Sequence, residues 1–170
     1  LWVGDALRAM PGHEHEGMQI LRQGLEENPT DPRVRERLID ALKEGEAVEQ
    51  GDIPVLEKWA AERPDDQRVL ELIADYYAQQ DSTSEEALQS YRKAAAHGPG
   101  RAQYLRLLGK ASASRHAWSE VIEVFEEMRA KGEEGEDIIF PLAMAYASYE
   151  RNDSQAADIY RKAVDLGSLQ

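Results

Sequence analysis

The chain has 170 residues, of which 42% are hydrophobic and 31% charged, with no cysteine and a formal net charge of -13. That length carries one domain with a real core or a stack of small units, and the balance is globular rather than disordered. The acidity argues against nucleic acid and anionic membrane surfaces, which need a basic footprint, while the missing cysteine excludes disulfides, thiol catalysis and cysteine zinc sites.

The predicted elements are helices throughout, and no segment alternates as a strand would. GDALRAM, residues 4–10, begins the first, and Pro11-Gly12 breaks it. A second helix carries Gly17, Leu21 and Gly24 on one face and stops at Pro29. IDALKEG, residues 39–45, follows, then a helix with Asp52, Leu56 and Trp59 that stops at Pro64. Asp52 is placed as its N-cap, with Pro54 in the first turn, where a missing N–H costs little. ADYYAQQ, residues 74–80, precedes EEALQSYRKAAAHGPG, residues 85–100, with Ala87, Tyr91 and Ala94 facing inward. Gly109 and Ser112 mark the next helix, Val121, Phe125 and Met128 the one after. Ala143 with Tyr146, then Ala156, Tyr160 and Ala163, mark the last two. Asp81-Ser82 and Asn152-Asp153 are further turn or cap signals.

The second-helix triplets recur at steps of 35, 35, 34 and 35 residues. A fixed period of this size signals stacked helix pairs, each unable to bury its apolar stripe alone. Five units are expected, approximately 1–30, 31–65, 66–100, 101–134 and 135–170. Small residues at Ala87, Ala94, Gly109, Ala143, Ala156 and Ala163 are expected at buried helix contacts. The chain opens on Leu1 rather than methionine, and reads as a piece of a longer protein.

IADYYAQQDSTSEEALQSYRKAAAHGP, LLGKASASRHAWSEVIEVFEEM and LAMAYASYERNDSQAADIYRKAV resemble tetratricopeptide repeats, with Leu108-Gly109, Trp118 and Phe125 in the family's places. The resemblance covers essentially the whole chain. It implies an all-α solenoid of antiparallel helix pairs in a right-handed superhelix, with each first helix lining a concave face. The sequence departs from the pattern at Asp52 and Trp59, which replace small residues and would push that helix outward. It departs again at Ser112, which replaces an aromatic.

His13, Glu14 and His15 offer two imidazoles to a metal, but stand in a turn without a further ligand at fixed spacing, so solvated histidines are the preferred reading. His97 and His116 are isolated. Paired acids such as Glu126-Glu127 and Glu133-Glu134 read as solvated faces. No catalytic residue, metal or cofactor is expected, and the chain is read as a non-enzyme.

The first helices carry the more informative set. Residues four apart share a helix face. Asp5, then Glu36 with Asp40, then Glu71 with Asp75 form an acidic column, and Arg106 with Lys110 turn it basic. The resemblance places these on the concave face, together with Arg33, Arg37 and Arg68. Local pairing of Arg33 with Glu36, Arg37 with Asp40 and Arg68 with Glu71 is the competing explanation. The lysine and asparagine clamp of members that capture a C-terminal carboxylate is absent.

These observations point to a protein-interaction scaffold whose partner carries a basic segment. Self-assembly through the terminal repeats is one alternative. By resemblance alone, another is a repeat region of a bacterial cell-envelope or polysaccharide export machine guiding a partner or a cationic polymer; the regulatory domain of an enzyme is a third. The same resemblance leans towards the periplasm or a membrane-associated complex. No apolar run nears the ~20 residues of a membrane span, so direct insertion of this segment is not expected.

Overall fold

The computed structural model describes residues 2–29, 31–96, 98 and 100–167, apart from the side chains of Trp2 and Asp5. His97 and Pro99 lie outside the described residues. Ten α-helices follow one another, with no strand among the described residues: α1 (Trp2–Arg8), α2 (Glu14–Glu27), α3 (Pro32–Lys43), α4 (Ile53–Glu62), α5 (Gln67–Gln79), α6 (Glu85–Ala94), α7 (Arg101–Ser114), α8 (Trp118–Ala130), α9 (Glu136–Ser148) and α10 (Ser154–Gly167). A short 3-10 turn, Gln50–Asp52, precedes α4. The fold is an all-α, tetratricopeptide-like solenoid of helix pairs. It divides into two compact units, Leu1–Leu72 and Ile73–Gln170.

In the first unit, α1 crosses α2 at Gly17. A Cβ there would stand 2.6 Å from the Gly4 carbonyl oxygen and 2.8 Å from the Arg8 nitrogen, so only glycine permits this approach. The apolar stripe of α2 buries Met18, Leu21 and Leu25 against Val34, Leu38, Ile39 and Leu42 of α3. Burial of each such side chain is worth roughly 1.5–3 kcal/mol. Asp31 starts α3 by accepting the Arg33 backbone N–H at 2.9 Å, with Pro32 in the first helical position. Leu56 and Trp59 of α4 are buried as well, and the buried Arg35 guanidinium of α3 sits 5.0 Å over the Trp59 ring.

The second unit has one continuous core. Ala87, Tyr91 and Ala94 of α6 pack with Leu105 and Leu108 of α7, and with Val121, Phe125 and Met128 of α8. Ile138, Leu142 and Tyr146 of α9, with Ala156 and Ile159 of α10, extend it. Ala143 and Ala163, predicted to be buried, are only half-buried. The described contacts of α9 and α10 are with α7, α8 and each other, and no described helix covers their other side.

The turns use the hydroxyls of the second-helix tyrosines. Tyr91 donates to the Ser82 carbonyl at 3.2 Å, and Tyr160 donates to the Arg151 carbonyl at 3.1 Å. Asp153 accepts the Ala156 N–H at 3.0 Å, as its predicted capping role requires. The cap of α6 is Ser84 rather than the Asp81-Ser82 pair, because the Ser84 hydroxyl is the oxygen that reaches the Ala87 N–H, at 3.2 Å.

Candidate protein-interaction surface

Residues four apart on α3, α5 and α7 carry the predicted column: Glu36 and Asp40, Glu71 and Asp75, Arg106 and Lys110. Asp5 belongs to α1, but its side chain lies outside the described residues.

Two of the predicted pairings within a helix are corrected, Arg68 with Glu71 and Arg33 with Glu36. Arg68 reaches back to α3, bonding Glu36 at 2.9 Å and standing 3.7 Å from Asp40, and it also meets Asp66 at 3.4 Å. Glu71 accepts instead from Lys43 at 2.8 Å. Arg33 turns to Asp31 at 3.1 Å, and Arg37 is exposed and has a partner of its own. The cause is reach. A long side chain on one first helix meets several carboxylates of its neighbour at once, against a single carboxylate one turn along its own helix. Hydrogen bonds donated to Glu36 and then to Asp66 raise the Arg68 pKa above its ordinary value.

In the second unit, Asp75 accepts a hydrogen bond from the Tyr104 hydroxyl at 2.9 Å. Arg106 is held by Asp137 of α9 and, at 2.6 Å, by Glu133. The bond to Asp137 is the main cause that raises the Arg106 pKa. Lys110 differs from these. Its side chain is 73% exposed, and its ammonium stands 3.5 Å from Asp81, a side chain that is itself almost fully exposed.

Sequence reasoning missed the next step of the column. Phe140 and Met144 lie 34 residues beyond Arg106 and Lys110. The 34-residue step from Gly109 to Ala143 was the signal that pointed to them, but a search for charge passes over apolar residues. Met144 is 57% exposed, which is high for so large an apolar side chain. Between α7 and α9 a cleft of about 550 Å³ opens. Leu107 and Ala113 line it from α7, and Phe140 and Pro141 from α9, with Arg106, Lys110, Glu136 and Asp137 at its polar edge. The small side chains of Ala113 and Ser114 opposite the compact Pro141 ring leave this volume open.

His13 and His15 are exposed at the start of α2, where His13 contacts Glu16 at 3.1 Å and His15 contacts Gln19 at 2.9 Å. Among the described residues no group of three or more histidine, aspartate or glutamate side chains is placed to hold a metal. No described helix is long and apolar enough to cross a membrane.

No protein-family model matches the sequence, and neither does any curated protein. Among solved structures, the chain is similar to a point mutant of MamA, a tetratricopeptide-repeat protein. That similarity has a TM-score of 0.60 at 23% identity and covers 94% of this chain and 91% of that one. At that identity the likeness concerns the fold.

Proposed function

We propose that this chain is a non-catalytic scaffold that binds protein partners through the first-helix positions of the column within each of its two compact units. The observation that carries this reading is the column itself. The same two positions, recurring at unit spacing, present Glu36 and Asp40, Glu71 and Asp75, Arg106 and Lys110, then Phe140 and Met144. A core would not require such a graded series, whereas a surface that reads successive side chains of a partner does. The five-unit division of the chain belongs to the same proposal. Because Arg68 and Lys43 already hold the carboxylates of the first unit, a basic partner segment there must compete with the chain's own cations.

The test is site-specific photo-crosslinking in extracts of the source cells. Probes at Asp40, Asp75 and Lys110 should capture protein partners, and probes at the exposed second-helix positions Lys93 and Glu123 should not. Capture from the second-helix positions alone would overturn the assignment of the face.

A second reading, self-association, is favoured by the exposure of Val164 on α10 and of Tyr149 at the C-terminal end of α9. Sedimentation against concentration tests it, and a strict monomer would remove it.

A further inference from the structure

Among the described residues, the last ion pair that crosses from one first helix to the next stands at one end of the cleft between α7 and α9. Arg106 is saturated by Asp137 and Glu133 at one end of the cleft. Beyond it the walls are Leu107, Ala113, Phe140 and Pro141, and the exposed Met144 continues the α9 face one turn on from Phe140 and Pro141. Lys110 stands at the edge of this apolar stretch with only the exposed Asp81 near it, at 3.5 Å.

We infer that this cleft seats an apolar side chain of a partner protein segment, with a neighbouring aspartate or glutamate of that segment held by Lys110. The inference rests on the scaffold reading and names the chemistry of one of its contact points. Charge complementarity decides the sign. Asp137 is already engaged by Arg106, and Glu136 also has a partner, while Lys110 is the loosely held ion at the cleft. A carboxylate anchored by its neighbour's apolar burial replaces the long contact to Asp81 with a closer one beside low-dielectric walls, where the attraction is stronger. Proline supplies a further polar feature. Pro141 has no N–H, so the Asp137 carbonyl cannot receive its α-helical bond, and both residues line the cleft.

The test pans a random dodecapeptide display library on the intact chain, then measures binding of labelled peptides by fluorescence anisotropy. Enriched peptides should pair leucine or an aromatic residue with an adjacent acid. Lys110→Glu should weaken them about tenfold, as reversal of a charge pair does. Replacing the acid of the peptide by its amide should give a similar loss, and no further loss in Lys110→Glu. Ala113→Leu, which fills the cleft, should abolish binding. If that variant melts early, Lys110→Glu, at an exposed position, decides alone. No enrichment, enrichment of basic peptides, or binding indifferent to Lys110 overturns the inference. Peptides that instead lose binding on Asp40→Lys or Asp75→Lys would leave the scaffold reading standing without this cleft. Absence of peptide binding together with absence of crosslinks from the first helices would remove both.

Discussion

Arg22 grips Asp52 with two hydrogen bonds, Nε to one carboxylate oxygen at 2.9 Å and Nη2 to the other at 2.8 Å. Asp52 is only 5% exposed, and the same Arg22 also reaches Glu49 at 2.6 Å and the Ala47 carbonyl at 3.2 Å. The predicted capping role of Asp52 for α4 is not the one observed. Its side chain makes no cap bond to α4; it accepts the Glu49 N–H at 2.9 Å and closes the preceding 3-10 turn. A carboxylate that looked out of place beside the other second helices thus ties α2 to the turn before α4. Asp52→Ala should destabilise the protein by about 1–3 kcal/mol, because it removes two charge-assisted hydrogen bonds from a part-buried guanidinium and the acceptor of the Glu49 N–H. Urea denaturation measures this, and Arg22→Met combined with Asp52→Ala should cost less than the two changes added together.

Close approach of α7 and α8 depends on Gly109. A Cβ at this position would lie 2.4 Å from Cζ of Phe125. Alanine would gain about 1 kcal/mol in helix propensity and lose roughly 1–3 kcal/mol to overpacking, so Gly109→Ala should lower stability or leave it level. Adding Phe125→Leu should recover part of the loss. A clear rise in melting temperature with Gly109→Ala alone would mean that the ring moves freely, contrary to its burial. In the same core Ala94 is fully buried, and Ala94→Leu should cost about 1–3 kcal/mol for the same reason.

Tyr146 gives stability a pH dependence in the alkaline range. Burial first, and then its hydrogen bond to Glu126, push the phenol up from 10.0 to about 12. Between those two pH values the unfolded chain releases the proton while the folded chain keeps it. The unfolded state then binds fewer protons, so stability falls as pH rises through this window. The contribution is fully present below pH 10. Denaturation midpoints measured from pH 9 to 12 should therefore fall less steeply for Tyr146→Phe than for the parent chain. Equal slopes would place the titration elsewhere.

The helices and their order were legible because the spacing of apolar and small residues is set by the helix period, and Ala87, Tyr91, Ala94 and Phe125 are buried as that spacing requires. The departures from the repeat were legible only as misfits. Ser112, where an aromatic was expected, is fully buried and donates to Glu120 at 2.6 Å, and Arg92 holds the same carboxylate at 2.6 and 3.0 Å. Burial alone would push the Glu120 pKa up, but these two partners bring it below its ordinary value. Like Asp52, Ser112 belongs to a polar clip whose partner lies on another element, and spacing along one helix cannot show such a partner. For the same reason Arg68 and Glu71, predicted to pair along α5, are each found paired with α3 instead. The cleft was hidden too, because its volume arises from small residues on α7 facing a proline on α9.

The part-neutralised first helices of the first unit yield one more expectation. Arg68 stands among Glu36, Asp40 and Asp66, and its guanidinium lies where a basic partner side chain would have to sit. The side chain is 44% exposed, so removing it should cost little stability, within about 1 kcal/mol. Glu36 and Asp40 then face solvent with less positive charge beside them, Glu36 keeping only the longer contact to Arg63 at 3.7 Å, while the largely buried Asp66 keeps Arg35 at 3.9 Å. Arg68→Ala should therefore bind a fluorescent oligolysine probe more tightly than the parent chain. The gain should be largest at low salt and shrink towards physiological ionic strength, where the Debye length is only about 8 Å. Glu36→Gln in the Arg68→Ala background should remove part of the gain, and Lys93→Ala on the second-helix face should produce none. If Arg68→Ala leaves oligolysine binding and its salt dependence unchanged, the carboxylates of α3 serve only to steady their neighbouring helix, and the basic partner segment proposed for this face has no place there.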